Sequence, residues 1–204
     1  MNASTQRQAI GGPAGAIECA VDAPATPRGV AVVCHPHPLH GGNLDNKVAQ
    51  TLARAFLQAG LTAVRFNLRG VGASAGVHDD GVGEVQDALA VAAAFAQPGL
   101  PLLLAGFSFG GFVAAQAAQA LAASATPAAQ LVLVGPAASR FALPAVPAGT
   151  LVIHGEADDV VPLAAVLDWA RPQVQPVTVL PGVGHFFHGQ LPLLKSLLVA
   201  GLRV

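Results

Sequence analysis

The chain has 204 residues, 53% of them hydrophobic and 10% charged, with a formal net charge of −1. That length suits one domain with a full core, and the near-neutral charge excludes the electrostatic footprint of a nucleic-acid or anionic-membrane binder. The uninterrupted apolar run Ala88–Ala96 falls far short of a membrane span.

The opening residues, MNASTQRQAI, contain no apolar core of the secretory type. Two cysteines, Cys19 and Cys34, make no disulfide framework, so a reducing cytoplasm is expected. Residues 1–16, with Gly11, Gly12, Pro13 and Gly15, read as a loose arm. Ile17–Val21 reads as a short edge strand, closed by Pro24 and Pro27. Gly29–Cys34 is a near-continuous apolar run, as expected of a parallel strand covered on both faces. An unusual segment follows, His35-Pro36-His37-Pro38-Leu39-His40-Gly41-Gly42.

The next helix opens at Asn43 or Asp45 as N-cap, carries Leu44, Val48, Leu52, Ala55, Phe56 and Ala59 on one face, and stops at Gly60. Leu61–Phe66 is the following buried strand, with a Gly-rich loop, Asn67–Gly76, and then His78-Asp79-Asp80-Gly81 at its carboxyl end. Asp79 and Asp80 are candidate caps for a helix from about Gly83 to Gln97. In that helix the spacing turns Val85, Leu89 and Ala93 inward and Glu84 and Asp87 outward.

Leu102–Ala105 is a short strand, and Gly106-Phe107-Ser108-Phe109-Gly110 fits G-x-S-x-G before an Ala-rich helical run to Ala123. A serine on such a strand-to-helix turn is lifted above the sheet edge, and its neighbours two residues away must lack a side chain to clear the turn. The N–H of Phe109, at the helix start, is then free to face a developing oxyanion. Ser108 is the candidate nucleophile; the competing reading is an ordinary serine in a Gly-rich turn. Strands at Leu131–Val134, Leu151–His154 and Val177–Leu180 complete the set, with helices after Pro162, reaching Ala170, and from about Leu191. The alternation of strands and helices implies an α/β fold with a mainly parallel sheet covered on both faces. The polar segments 35–43, 67–81, Ser108, 155–159 and 182–188 all fall at carboxyl ends of strands, where such folds bind ligands.

An alcohol near pH 7 needs a base, and the base needs an orienting group. Asp158 follows a strand in G-x-x-D-x-x-V-P form, and His185 follows the last strand as G-x-x-H. In this order of Ser, acid and His the chain resembles the alpha/beta-hydrolase superfamily from Gly29 onward. The segments HPHPLHGGNLDNKV, RFNLRGVGASAG, HDDG, GFSFGG, HGEADDVVP and GVGHFFHG resemble those of a small bacterial group of serine hydrolases, similar to dienelactone hydrolases and short esterases. The resemblance implies Ser108, Asp158 and His185 as the triad. Asp159 competes with Asp158 and His188 with His185, while His154, inside a strand, reads as a hydrogen-bonded core histidine.

Arg69 reads as a structural tie between loops, in competition with a substrate clamp. Phe107, Phe109, Phe186 and Phe187 border the serine and histidine loops. Pro36 and Pro38 have no N–H, so His37 is the candidate second oxyanion donor. A zinc site from His35, His37 and His40 with Asp79 or Asp80 competes with that reading, but the spacing matches no ligand signature, so no metal and no cofactor is expected. Only about fifteen residues separate Val134 from Leu151, too few for a helical lid, so the site should be open.

The expected function is hydrolysis of a small-molecule carboxylic ester or thioester, by a monomer or homodimer with no nucleic-acid or membrane partner. A peptidase or amidase on the same triad and a catalytically silent interaction scaffold are the alternatives.

Overall fold

The computed structural model describes residues 5–122, 124 and 126–203. Eight strands form one sheet: β1 (Gln6–Gly12), β2 (Gly15–Asp22), β3 (Val30–Cys34), β4 (Thr62–Phe66), β5 (Leu102–Phe107), β6 (Gln130–Val134), β7 (Leu151–Gly155) and β8 (Thr178–Leu180). Their order is β1-β2-β4-β3-β5-β6-β7-β8. From β4 to β8 every pairing is parallel, and β1 and β2 add an antiparallel edge. The fold is that of an α/β protein with a mainly parallel sheet.

Alternation along the strands feeds two cores. Val30, Val32 and Cys34 of β3, with Leu102 and Leu104 of β5, face one side. There they meet α2 (Val82–Phe95), α3 (Phe109–Leu121) and, through Val166, α4 (Leu163–Ala170). Ala31, Val33, Leu103, Ala105 and Phe107 face the other side, against α1 (Lys47–Gln58) and α5 (Leu191–Gly201). Strands buried on both faces read as continuous apolar runs, which is why β3 to β6 stand out in the sequence.

Five expectations are corrected. Residues 6–12 are no loose arm: β1 pairs with β2 from Gln6↔Val21 to Gly12↔Gly15. It is therefore β1, and not the 17–21 strand, that forms the sheet edge. Its side chains are mostly exposed, so no apolar alternation announces it. Instead the hairpin turns at Gly15 (φ 120°) and is tied by Arg7 to Glu18 (2.9 Å) and by Thr5 to Asp22 (2.6 Å). Residues 1–4 and Ala123 lie outside the described residues.

The cap of α1 is Asn46, whose Oδ1 accepts from the N–H groups of Val48 (2.9 Å) and Ala49 (3.3 Å). Asn43 instead closes the turn before it, accepting from the N–H of Asp45. In α2 the phase is rotated. Glu84 (0% exposed) and Asp87 (1%) face inward with Ala88 and Val91, while Ala93 is exposed and Val85 and Leu89 are half-buried. The helix is apolar almost all round, so packing does not choose the face. Two acids with waiting partners choose it.

Neither Asp79 nor Asp80 caps α2 through its side chain. Gly81 (φ 100°) occupies that position, and its N–H donates to Oε2 of Glu84 at 2.9 Å.

Candidate active site

Ser108 joins β5 directly to α3 with φ 56° and ψ −118°, a conformation that L-residues occupy only under constraint. The constraint is close packing. A Cβ on Gly106 would lie 1.9 Å from the carbonyl oxygen of Gly110, and one on Gly110 would lie 2.2 Å from that of Cys34. Both glycines are thus required, and the start of α3 presses on the backbone of residues 34–35. The N–H of Ser108 is anchored to the Val134 carbonyl at 3.0 Å, so the side chain stands at the carboxyl edge of the sheet.

Asp158 and His185 come from the turns after β7 and β8. Those turns touch at Gly155, where a Cβ would sit 2.2 Å from the Val183 carbonyl oxygen. His185 Nε2 lies 3.1 Å from Ser108 Oγ, and its Nδ1 lies 2.7 Å from Asp158 Oδ2. The other oxygen of Asp158 accepts from the N–H groups of Val160 (3.0 Å) and Val161 (2.7 Å). Burial alone would push the Asp158 carboxyl up, but the His185 hydrogen bond and the Val161 N–H outweigh it and hold it below the usual carboxylate range. The carboxylate therefore stays ionised at neutral pH and orients the imidazole. Asp159 and His188 are exposed and join none of these contacts. His154 is buried, with Nε2 at 2.9 Å from the Val161 carbonyl and 3.5 Å from Asp158 Oδ2.

The loop after β3 folds back tightly. His37 accepts at its carbonyl from the N–H groups of His40 (3.1 Å) and Gly42 (3.0 Å), and a Cβ on Gly42 would lie 1.9 Å from the Pro36 oxygen. The His35 ring is buried, with Nδ1 at 2.6 Å from the Pro36 carbonyl and Nε2 accepting from the Leu68 N–H at 3.0 Å. Both nitrogens are thus committed within the fold. His37 Nδ1 accepts from Leu39 N–H at 3.2 Å. No group of three or more potential metal ligands occurs among the described residues.

Arg69 is a structural tie. Its guanidinium grips Asp87 through Nε (2.9 Å) and a terminal nitrogen (2.8 Å), and its own N–H adds a third bond to the same carboxylate. Beside it, Glu84 accepts from the N–H of Asp79 (2.9 Å) and lies 2.7 Å from His78 Nδ1. The His78 ring packs against His37 (4.8 Å between centroids) and Phe109 (5.6 Å). Sequence reasoning missed this support. The one sign of it was two isolated acids in an otherwise apolar helix.

The profile of the family described as serine aminopeptidase, S33, matches residues 25–141, more than half of the chain. The chain belongs to this family of alpha/beta serine hydrolases. A solved alpha/beta serine hydrolase without a lid, from Xanthomonas campestris, is 39% identical over 98% of this chain and 94% of its own, with a TM-score of 0.89. An alpha/beta serine hydrolase homologue from Coxiella burnetii is 38% identical over 97% of both chains, with a TM-score of 0.86. An uncharacterized protein of Rickettsia prowazekii is 44% identical over 110 residues, 52% of this chain and 46% of its own length. The chain thus spans about half the length of that curated relative.

As in the Xanthomonas structure, no lid covers the site among the described residues of this hydrolase. Between β6 and β7, residues 135–150 run as turns and irregular chain with no helix or strand. The Trp169 indole N–H pins this stretch by donating to the Pro144 carbonyl at 3.0 Å, and the Val146 N–H donates to Gln173. Over Ser108 lies a cleft of about 460 Å³. Its walls include Phe109, Ala137, Phe141, Val161 and Phe186, with His37, His40, Asn46 and Arg140 as polar members. Of the four phenylalanines expected there, Phe109 and Phe186 line the cleft. Phe107 and Phe187 are core residues, although the Phe107 ring also backs His185 at 4.8 Å. Arg140 and Phe141 lie in the short connection, where no motif marks them. No helix among the described residues is long and apolar enough to cross a membrane.

Proposed function

We propose that this hydrolase cleaves small-molecule carboxylic esters or thioesters through an acyl-enzyme on Ser108. The continuous contact from Ser108 Oγ to His185 Nε2 and from His185 Nδ1 to Asp158, at the floor of an open cleft, carries the reading. His185 takes the Ser108 proton as Oγ attacks the carbonyl carbon, and Asp158 steadies the imidazolium. The N–H groups of Phe109 and His37 hold the oxyanion. Phe109 opens α3, so its N–H has no carbonyl one turn earlier to bond. His185 then protonates the departing alkoxide or thiolate, and water, deprotonated by the same ring, releases the acid. The scheme draws on no metal and no cofactor. The buried thiols of Cys19 and Cys34, both pushed up by burial, fit a reducing cytoplasm.

The family description raises a second reading, removal of an N-terminal amino acid. A free ammonium group needs a carboxylate to receive it. The cleft lining contains no Asp or Glu, and its permanent charge is the cation of Arg140. Ester and thioester cleavage is therefore preferred. Turnover of matched p-nitrophenyl esters, CoA thioesters and aminoacyl p-nitroanilides by wild type and Ser108→Ala tests both. Ester or thioester turnover should dominate and fall by on the order of 10⁴-fold or more in the variant. A folded Ser108→Ala protein with wild-type turnover, or anilides as the best substrates, would overturn it.

A further inference from the structure

We infer that the buried His35 is a positioning residue for the oxyanion site, holding the Pro36–His37 peptide so that the His37 N–H stays turned toward Ser108. The inference rests on the reading of His37 N–H as the second oxyanion donor. In a planar trans peptide the N–H and the preceding C=O point in opposite directions, so fixing one aims the other. The oxygen of this particular peptide, that of Pro36, lies 2.6 Å from His35 Nδ1. On the far side of the ring, Nε2 accepts from Leu68 N–H at 3.0 Å, which requires the proton to sit on Nδ1. Leu68 thereby selects the tautomer, and the tautomer makes Nδ1 the donor to Pro36.

Burial lowers the ring pKa to about 4, so the neutral form that this arrangement needs persists through the neutral range. The neighbouring planes are fixed as well. The His37 carbonyl is held by His40 and Gly42, while the His35 and Cys34 carbonyls pack against the space left by Gly110. The Pro36 oxygen also packs close to Gly42, where a Cβ would lie 1.9 Å from it, so the Gly42 backbone and the His35 ring together oppose a flip of the Pro36–His37 peptide.

A merely structural histidine and a positioning one differ in what their loss does to the transition state. The test uses His35→Asn, His35→Gln and His35→Phe, with kcat expressed per active site titrated by a fluorophosphonate. Each variant is also assayed on an ester and on the matching thionoester, whose sulfur is a poor partner for oxyanion donors. Asn places an amide N–H near the position of Nδ1 and keeps the bond to Pro36. Gln reaches only the Leu68 side, and Phe serves neither.

Asn should retain kcat within about threefold of wild type, whereas Gln and Phe should lose about 10- to 100-fold with little change in KM and a reduced ester-to-thionoester ratio. If Phe fails to fold, the Asn and Gln pair decides alone. A wild-type ratio in folded Gln or Phe protein, or equal impairment of Asn and Gln, would overturn the inference. Failure of the reading beneath it looks different: wild type itself would then escape labelling at Ser108 or show no preference for the ester.

Discussion

At the scale of single residues, two adjacent aspartates divide cleanly. Asp158 contacts His185 and takes two backbone N–H groups, while Asp159 faces solvent. Asp158→Asn should cost on the order of 10⁴ in kcat, because an amide offers the imidazole the wrong partner. Asp159→Asn should stay near wild type, and steady-state kinetics on an activated ester checks both. His35 makes a second expectation, in stability. Its folded pKa, lowered by burial to about 4, lies below the unfolded value near 6.5, so the neutral ring stabilises the fold fully above pH 6.5. As pH falls, the unfolded chain takes the proton first, and about 3 kcal/mol should be lost between pH 6.5 and 4. His154, also lowered by burial, adds in the same direction. Urea midpoints of wild type and His35→Asn should therefore converge between pH 7 and pH 4.5. A gap independent of pH would contradict this. The residues of this contact chain were legible because their chemistry demands rare neighbours: glycines around Ser108, and G-x-x-D and G-x-x-H turns after strands. The role of Glu84 was not, since nothing local distinguishes an inward acid from an outward one.

At the scale of elements, the strand-to-helix turn couples packing to chemistry. Gly110→Ala would bring a Cβ to 2.2 Å from the Cys34 carbonyl and 2.5 Å from that of His35. Something must move, at a cost of about 1–3 kcal/mol, and the movement separates α3 from the loop carrying His37. Urea unfolding should show the loss, accompanied by reduced kcat. Gly11→Ala in β1, with nothing within 4 Å of the added Cβ, is the matched control and should be neutral. The buried strands and most helices were legible, because double coverage produces continuous apolar runs and glycines mark their ends. The phase of α2 and the existence of β1 were not. An Ala-rich helix offers no hydrophobic face to read, and a polar edge strand is held by backbone pairing and by Arg7, Glu18 and Asp22, which lie apart in sequence.

At the scale of the whole molecule, the sheet brings the turns after its six parallel strands to one edge and leaves the cleft above Ser108 uncovered. The short β6–β7 connection, pinned through Trp169, has neither the length nor the freedom to open and close. Rates on esters should therefore rise smoothly with concentration and show no jump above the critical micelle concentration of a long-chain substrate. Short acyl chains should give the highest kcat/KM, as fits a cleft of about 460 Å³. The missing lid was legible as a missing length. The cleft wall was not, because Arg140 and Phe141 reach it from a segment with no motif. The most direct measurement is peptide mapping by mass spectrometry after fluorophosphonate treatment, with Ser108→Ala and His185→Ala in parallel. The adduct should map to Ser108 in wild type, be absent from Ser108→Ala, and form much more slowly in His185→Ala. An adduct on another residue, or equal labelling of folded Ser108→Ala, would contradict the assignment of Ser108 as the nucleophile.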